Sequence, residues 1–283
     1  MDFGEIRRLV LVAIASDDKL CDLLVLKGGN ALDLIYQLGN RTSLDVDFSM
    51  EGDVANIDDL ERMLTRAITD RFDAAGYVVF DTKMALKPRP RFGTVPDWWG
   101  GYNFDFKIIP REEFKKLDGD KEKMRRQATA VDSRMHRIFE VQISRHEYCG
   151  DSDRVLFEGY ELRVYSKAMI VCEKLRAICQ QLPEYPMVGS AAGRARDFYD
   201  IAILIDQGPV DMEDVANQTL LQVVFEAKKV PLPLLLSIET AREFHRLDWP
   251  RVVDSVRGQI DDFDVWFDRV LAVIQLLEAA GVV

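Results

Sequence analysis

The sequence lacks the features that would mark a membrane protein, a disulfide-stabilised protein or a zinc protein. No apolar run approaches the roughly 18–20 residues of a membrane-spanning helix, and the first residues carry no basic and then apolar export signal. The four cysteines are scattered and the three histidines are isolated, which argues against a disulfide framework, a zinc site and histidine-based nucleophilic catalysis. We therefore expect a cytoplasmic protein with reduced cysteines.

The chain also lacks an excess of positive charge. Its formal net charge of −11 argues against broad, salt-dependent binding to DNA or RNA, which requires clustered lysine and arginine. A local basic surface remains compatible with this charge. With 48% hydrophobic residues among 283, the chain can bury a full core in one large domain or two smaller ones.

A first candidate motif is Lys27-Gly28-Gly29, which follows a short apolar run. Apolar residues at helical spacing come next, so the pattern predicts a turn that enters a helix, with Asn30 as the N-cap and Gly39-Asn40 at the end. Two glycines let backbone N–H groups approach a ligand closely, and the start of a helix attracts phosphate. Alone, a glycine pair is more often a simple turn.

A second candidate motif is Leu44-Asp45-Val46-Asp47-Phe48, which alternates apolar and acidic residues. On a strand, Asp45 and Asp47 would share one face, with their side chains starting about 6.5–7 Å apart. Two carboxylates at this spacing can jointly bind divalent cations, which suits phosphoryl-type substitution on a triphosphate. An acidic pair on a solvated strand is common by itself, so the order of the two motifs is the more informative observation.

With these motifs the sequence resembles the AbiEii/AbiGii toxin family, a branch of the polymerase-β-like nucleotidyltransferase superfamily. Members typically carry four motifs in order, and this chain has a counterpart of each over about 175 residues. The counterparts are Lys27-Gly28-Gly29, Arg41-Thr42-Ser43-Leu44-Asp45-Val46-Asp47, Glu173-Lys174-Leu175-Arg176-Ala177 and Arg196-Asp197-Phe198-Tyr199-Asp200-Ile201.

The resemblance implies a metal-dependent nucleotidyltransferase of the EC 2.7.7 type that moves a nucleotide from a nucleoside triphosphate to an acceptor hydroxyl. It implies Mg²⁺ or Mn²⁺ as cofactor, and a toxin of a type IV toxin–antitoxin or abortive infection system that acts on RNA such as tRNA, with a separately encoded antitoxin. The implied catalytic residues are Asp45, Asp47, Lys174 and Asp197; Asp45 and Asp47 are also the metal ligands, and the nucleotide-binding residues are Lys27, Gly28, Gly29 and Ser43.

The later motifs predict specific roles for their charged side chains. Lys174 stands at the edge of an apolar helical stripe, where its ammonium could reach into a cleft and neutralise triphosphate charge. In the next helix Asp197 could orient Lys174 or a metal-bound water, and Asp200 could pair with Arg196. The plainer alternatives are a lysine at a helix boundary and an ordinary surface ion pair.

Polymerase-β-like enzymes commonly add a third carboxylate from a neighbouring strand. Two alternating segments could supply it, one with Asp105 and one with Glu140 and Gln142 on the polar face. Related chains often have an acid where Gln142 stands. We rank Glu140 above Asp105 as a third metal ligand, and two acids alone remain an alternative.

One loop is the best candidate for RNA recognition. The segment from Lys83 to Arg91 contains no acid, and its cations could meet phosphates while Trp98 or Trp99 stacks on a base. A proline-stiffened surface loop with tryptophans that cap a core is the alternative. The four cations are Lys83, Lys87, Arg89 and Arg91.

The pattern predicts an α+β fold, with a mixed α and β portion over residues 1–165 and a C-terminal helical bundle over 166–283. The resemblance implies that the first portion is a nucleotidyltransferase α/β domain with a polymerase-β-like mixed sheet, and that the helical domain contributes Lys174 and Asp197 to an interdomain cleft. Helices are predicted over 5–20 and 53–75, strands over 77–80, 102–109, 138–144 and 155–165, and helices almost throughout after Ser166, with Phe263, Phe267, Val270, Ile274 and Leu277 on one face of the last helix.

Two alternatives to an RNA-modifying enzyme remain open. A catalytically silent nucleotide-binding or partner-binding module with the same fold would show the loss of a motif acid, and Gln142 is the position that hints at this. A transferase for a small-molecule or protein acceptor fits the same motifs and the acidic charge.

Overall fold

Seven strands pair into one mixed sheet in the computed structural model of the chain, which describes residues 3–38, 45–88, 96–131, 135–186, 191–208, 210–256 and 258–283. The strands are β1 Val25–Lys27, β2 Val46–Ser49, β3 Tyr77–Lys87, β4 Gly101–Pro110, β5 Phe139–Ser144, β6 Asp153–Phe157 and β7 Tyr160–Val164. Their order across the sheet is β3-β4-β5-β2-β1-β7-β6. β2 runs parallel to β5 and β1 runs parallel to β7, while the other neighbours are antiparallel.

Helices make up most of the remaining described chain. In chain order they are α1 Phe3–Ala15, α2 Asp18–Leu23, α3 Gly28–Asn30 with a π-helical turn Ala31–Ile35, α4 Ile57–Ala74, α5 Arg111–Lys116, α6 Lys121–Gln127, α7 Lys167–Cys179, α8 Ala195–Gln207, α9 Val215–Glu226, a 3₁₀ stretch Leu232–Ala241, α10 Arg242–Arg246, α11 Trp249–Ser255 and α12 Phe263–Ala279. None of the helices in the described ranges is long and apolar enough to cross a membrane.

The described residues divide into two compact units. The sheet unit comprises Met1–Lys27, Leu44–Cys149 and Asp153–Val164, and the helical unit comprises Gly28–Ser43, Gly150–Ser152 and Tyr165–Val283. The predicted α+β class, with a mixed sheet and a later helical portion, is confirmed. The described residues 28–38 pack with the helical unit, whereas the predicted division placed all of residues 1–165 in one domain.

Alternation along the central strands gives the sheet an apolar face and a polar face. The apolar face carries Phe48, Phe104 and Phe106, which are fully buried. It packs against the long helices of the sheet unit: the ring of Phe72 on α4 meets Phe106 edge-to-face at 5.7 Å between centroids, and Phe3 on α1 stacks on Phe139 at 6.0 Å. This packing leaves the opposite face of β2, β4 and β5 to polar side chains.

Turn and cap residues set the ends of several elements. Asn56 caps α4 by accepting a hydrogen bond from the Asp58 N–H at 2.9 Å, and Ser166 caps α7 by accepting one from the Met169 N–H at 3.3 Å. The single helix predicted over 5–20 is wrong, because Asp17 caps a separate helix, α2, and so interrupts it. Glu158 and Gly159 both have positive φ and form the tight turn between β6 and β7.

The helical unit is held together by an aromatic core. The ring of Phe198 on α8 stacks on Phe267 of α12 at 4.7 Å and meets Phe263 at 5.7 Å. Tyr199 meets Trp266 edge-to-face at 4.8 Å. The predicted apolar face of the last helix is confirmed, since all five of its residues are buried: Phe263, Phe267, Val270, Ile274 and Leu277.

Candidate active site

The acidic motif lies on the polar face of the sheet, at the start of β2. Asp47 is on the strand and half-buried, and Asp45 comes just before it and is exposed. The apolar residues of the motif, Val46 and Phe48, are buried on the opposite face. The predicted alternation of burial is confirmed over Val46, Asp47 and Phe48, and continuation of the register with β5 places Asp45, which precedes the strand, beside Glu140.

The parallel pairing of β2 with β5 brings a second set of polar side chains beside the motif. Asp47 pairs with Gln142, so continuation of the register by two residues places Glu140 beside Asp45. On the far side of β5, Gln142 pairs with Asn103 of β4 and Glu140 pairs with Asp105. The two candidate third acids named from the sequence therefore lie in one row across the sheet.

The electrostatics of this row are those of a crowded acidic site. Partial desolvation raises the pKa of Glu140, and the negative charges of Asp105 and Asp45 raise it further. Lys87 and a hydrogen bond from Asn103 act in the opposite direction without offsetting the rise. A divalent cation would relieve this repulsion between carboxylates.

Lys87 reaches this face from β3. Its Nζ donates a hydrogen bond to Oε1 of Gln142. The prediction that Lys83 to Arg91 forms a loop is wrong for its first half, because Lys83 and Lys87 lie on β3, an edge strand that pairs with β4 on both sides of an irregularity between Phe80 and Lys83. Arg89 and Arg91 lie outside the described residues. Trp98 and Trp99 are half-buried and meet edge-to-face at 5.9 Å.

Lys27 lies beside Asp47, its partner across the β1–β2 pair. The lysine is buried, and its Nζ donates to Oγ of Ser144 at 3.0 Å and lies 3.8 Å from Oε1 of the buried Glu147. Glu147 had no place in the sequence prediction. Glu147 follows β5 outside any helical or strand pattern in the sequence, so only the fold identifies it as a partner of Lys27.

The glycine motif forms a tight turn rather than a capped helix. Gly28 has φ of 67°, a left-handed conformation that favours glycine. Asn30 has helical backbone angles and its side chain makes no capping bond, so the predicted N-cap is wrong. The helix continues as a π-helical turn to Ile35, a geometry often found at functional sites. Gly39-Asn40, the predicted helix end, and Ser43, a predicted nucleotide-binding residue, lie outside the described residues.

A cavity of about 330 Å³ opens at the start of β2 and β5, between these strands and α1. Asp45 and Glu140 contribute to its wall, together with Arg7, Phe3 and Phe139. Its volume falls in the lower part of the range of small-molecule sites. The cavity lies on the α1 side of the sheet, and of the acids in the row only Asp45 and Glu140 reach its wall.

In the helical unit Lys174 is buried and held by two aspartates. Its Nζ lies 2.7 Å from Oδ1 of Asp197 and 2.7 Å from Oδ2 of Asp200. The predicted contact between Lys174 and Asp197 is confirmed. Asp200 contacts Lys174 as well, because the helical turn of α8 places Asp197 and Asp200 on the side that faces α7, and its pairing with Arg196 stays a prediction.

Asp197 also accepts from Arg194, whose Nε lies 2.5 Å from Oδ2. Burial raises the pKa of the Asp197 carboxyl, but the charges of Arg194 and Lys174 together with their hydrogen bonds outweigh it and hold the pKa below its usual value. The carboxylate is therefore ionised at neutral pH. The sequence prediction missed Arg194, although its position three residues before Asp197 at a helix start was a usable signal.

Within the described ranges, no group of three or more histidine, cysteine, aspartate or glutamate side chains forms a metal centre by itself. Mg²⁺ typically binds through one or two carboxylates together with substrate phosphates and water. The oxygen donors of Asp45 and Asp47 on one strand face fit that requirement. The four cysteines, all buried and free, do not supply an alternative soft site.

The comparisons with known proteins agree with this geometry. The family model described as the nucleotidyl transferase AbiEii toxin of type IV toxin–antitoxin systems matches residues 9–269. The chain belongs to this family. No curated protein gave a significant match.

Two solved structures show the AbiEii chain's fold in other proteins. One is a candidate nucleotidyltransferase from H. pylori, with a TM-score of 0.52 and 17% identity over 98% of this chain and 94% of that one. The other is JHP933 from Helicobacter pylori, with a TM-score of 0.51 and 17% identity over 98% of this chain and 90% of that one. At this identity the likeness concerns the fold.

Proposed function

We propose that the AbiEii chain is a metal-dependent nucleotidyltransferase that moves a nucleotide from a nucleoside triphosphate to an acceptor hydroxyl. The observation that carries this proposal is the acidic row of the sheet unit, where the register brings Asp45 and Asp47 beside β5, and where partial burial and then the charges of Asp105 and Asp45 raise the pKa of Glu140. Family membership supports the same chemistry.

Asp45 and Asp47 would hold Mg²⁺ or Mn²⁺ together with substrate phosphate and water, and Glu140 would have to turn toward the ion to serve as a third ligand. The ion, when bound, would polarise the α-phosphate and stabilise the leaving pyrophosphate. Gly28, through its turn, would offer backbone N–H groups to phosphate, and Ser43 and Gly29 would line the same triphosphate, as the family resemblance implies.

Lys27 would act near the triphosphate through its position beside Asp47. The Lys27 ammonium is already held by Ser144 and lies near Glu147. We therefore propose that Lys27 restrains the part of β2 that carries Asp47 and adds a positive charge at a fixed position beside it. A lysine restrained in this way costs little further ordering when substrate binds.

Lys174 and Asp197 are proposed as catalytic residues on the strength of the family motifs. The buried contact between them sets the ammonium in one position, which is the geometry expected of a preorganised electrostatic group. The same contact would serve a purely structural ion cluster, so a comparison of activity with stability is needed for each variant.

For the acceptor we propose an RNA hydroxyl, such as the end of a tRNA, and for the biological role a toxin that a separately encoded antitoxin neutralises. The toxin family supports the role. The exposed Lys87, next to the acidic row, supports a phosphate contact close to the site, and Lys83, Arg89 and Arg91 would extend it.

The deciding assay incubates the purified protein with Mg²⁺ or Mn²⁺, each α-labelled nucleoside triphosphate in turn, and total bacterial RNA plus protein. We expect label to appear in RNA with release of pyrophosphate. Label in protein or a small molecule would favour another acceptor. Triphosphate binding without pyrophosphate release would establish the catalytically silent alternative.

A further inference from the structure

His245 is a fully buried histidine in the helical unit that the proposed chemistry does not use. It lies on α10, and its ring packs against Phe198 of α8 with 5.1 Å between centroids. It also packs against the neighbouring ring of Phe244 at the same distance. A histidine at such a position normally either fills space or makes a specific polar contact.

The polar contact of His245 is specific. Nδ1 accepts a hydrogen bond from the backbone N–H of Arg194 at 3.1 Å, so the proton of the neutral ring is on Nε2. Burial, and then the charge of Arg194, lowers the pKa of His245 to about 4 despite the opposing effect of Asp197. The ring is therefore neutral at physiological pH and keeps its acceptor for Arg194.

Arg194 joins this ring to the charged cluster of α7 and α8. Its backbone carbonyl accepts from the Asp197 N–H at 2.8 Å, and its Nε contacts the Asp197 carboxylate. Asp197 in turn contacts Lys174. His245 thus holds the backbone of the residue whose guanidinium contacts Oδ2 of Asp197, while Lys174 contacts Oδ1.

A second contact restrains the same segment. A Cβ at Gly193 would lie 2.6 Å from Cβ of Asp248, closer than real contacts allow, so the backbone before Arg194 lies directly against the α10–α11 junction. Glycine is required at position 193 because a side chain would collide with Asp248. Its backbone conformation is not the reason, because its φ is not in the left-handed region. Both contacts fix residues 193–194 against the same part of the helical unit.

We propose that His245 is a positioning residue for nucleotidyl transfer, which fixes Arg194 and through it the orientation of Asp197 toward Lys174. This inference rests on the proposed function, because it gives His245 a role only through residues proposed to be catalytic. It concerns a residue outside all four motifs that identify the family.

The test compares His245→Phe, which keeps an aromatic ring but removes the acceptor, with His245→Asn, whose amide oxygen can take the place of Nδ1. We expect kcat for nucleotidyl transfer to fall about 10- to 100-fold in His245→Phe, as for other misplaced catalytic groups. KM for the triphosphate should change little, and His245→Asn should recover most of the rate. Glu239→Gln, at an exposed position of the 3₁₀ stretch in the helical unit, is the control.

A double-mutant cycle shows whether the effect passes through Arg194. In an Arg194→Ala background, His245→Phe should cause little further loss of kcat, because the side chain that transmits the effect is absent. Unchanged kcat in His245→Phe overturns the inference. So does an additive loss, or an equal loss in His245→Phe and His245→Asn that follows their melting temperatures.

If His245→Phe does not fold, Gly193→Ala tests the same restraint without altering the ring. A lower kcat with a near-native melting temperature supports the inference, and an unchanged kcat overturns it. Absence of transfer by the wild-type protein would instead remove the proposed function, so the two failures are distinguishable.

Discussion

The two units of the AbiEii chain surround their acidic residues with charges of opposite sign. In the helical unit the carboxylate of Asp197 has two basic neighbours, Lys174 and Arg194, and its pKa is lowered. In the sheet unit Glu140 has two acidic neighbours, Asp105 and Asp45, and its pKa is raised. The first arrangement is electrostatically complete within the protein, whereas the second favours a bound cation.

This difference separates what stabilises the fold from what binds the reactants. Buried charges that are matched by partners hold helices together and become costly when one partner is removed. Acidic groups that repel one another are costly in the folded state and are kept where a ligand compensates them. Variants in the two places should therefore affect stability and activity in different proportions.

The largest effect on activity is expected from Asp45→Ala or Asp47→Ala. Removal of either proposed metal ligand should reduce labelled transfer to background, because the triphosphate charge loses its cation. Stability should change little, since Asp45 is exposed and Asp47 is only half-buried. Transfer assays measure the activity, circular dichroism measures the stability, and Mn²⁺ titration measures the binding of the metal ion.

Asp70→Ala, an exposed acid on α4, is the matched control for charge and should retain full transfer. Normal transfer by both Asp45→Ala and Asp47→Ala would contradict the proposed metal site.

The largest effect on stability is expected from Lys174→Met. It leaves the buried carboxylates of Asp197 and Asp200 without their shared cation, which should lower the free energy of unfolding by about 3–5 kcal/mol. Urea denaturation measures the loss, and added Asp200→Asn should recover part of it. Lys115→Met, in an exposed ion pair, should stay within about 0.5 kcal/mol of wild type.

Stability as a function of pH should distinguish Asp197→Asn from wild type. A lowered folded-state pKa means that Asp197 stabilises the fold above its unfolded pKa of about 3.9 and loses this contribution as the pH falls through and below that value. Asp197→Asn should therefore be less stable at pH 7, with a smaller loss on acidification. Parallel pH curves for the two proteins would argue against the ionised pair.

Lys87→Ala should reduce labelling of RNA by about 3- to 10-fold, as expected for the loss of one phosphate contact, and should weaken the salt dependence. Its exposed side chain contacts Gln142 and is not part of the core. Lys123→Ala, on the exposed side of α6, is the control. An equal loss of triphosphate binding would place Lys87 at the nucleotide instead of the RNA.

The smallest effect is expected from Glu140→Gln, and its sign is informative. A raised folded-state pKa means that ionised Glu140 destabilises the fold as the pH rises above its unfolded pKa of about 4.3. The variant should thus melt slightly higher than wild type at pH 7 while it transfers more slowly. A lower melting temperature would mean that Glu140 is stabilised by partners, and unchanged transfer would remove it as a metal ligand.

Local patterns predicted the elements better than the partners of charged side chains. The alternation correctly buried Val46 and Phe48 and left Asp47 between them half-buried, because a period of two is a property of the strand alone. The contact of Lys174 with Asp197 also followed from neighbouring helical motifs. Polar partners from distant segments, such as Glu147 for Lys27 and His245 for the Arg194 backbone, depend on tertiary packing that no spacing records.

The errors in the sequence prediction have physical causes of the same kind. Lys83 and Lys87 were assigned to a loop because basic residues near proline are typical of loops, yet pairing with β4 supplies the backbone hydrogen bonds that make this segment a strand. Asn30 was assigned as a cap because asparagine favours that position, but Gly28 already forms the turn two residues earlier.

The parallel register between β2 and β5 restricts how chain length can vary among relatives of this protein. One residue added to or deleted from the middle of β5 would turn Glu140 and Gln142 toward the phenylalanine-rich core and bring Phe139 and Val141 out beside the aspartates. Length changes should therefore be found in connections such as residues 145–152, while the spacing from Phe139 to Ser144 stays constant across functional sequences.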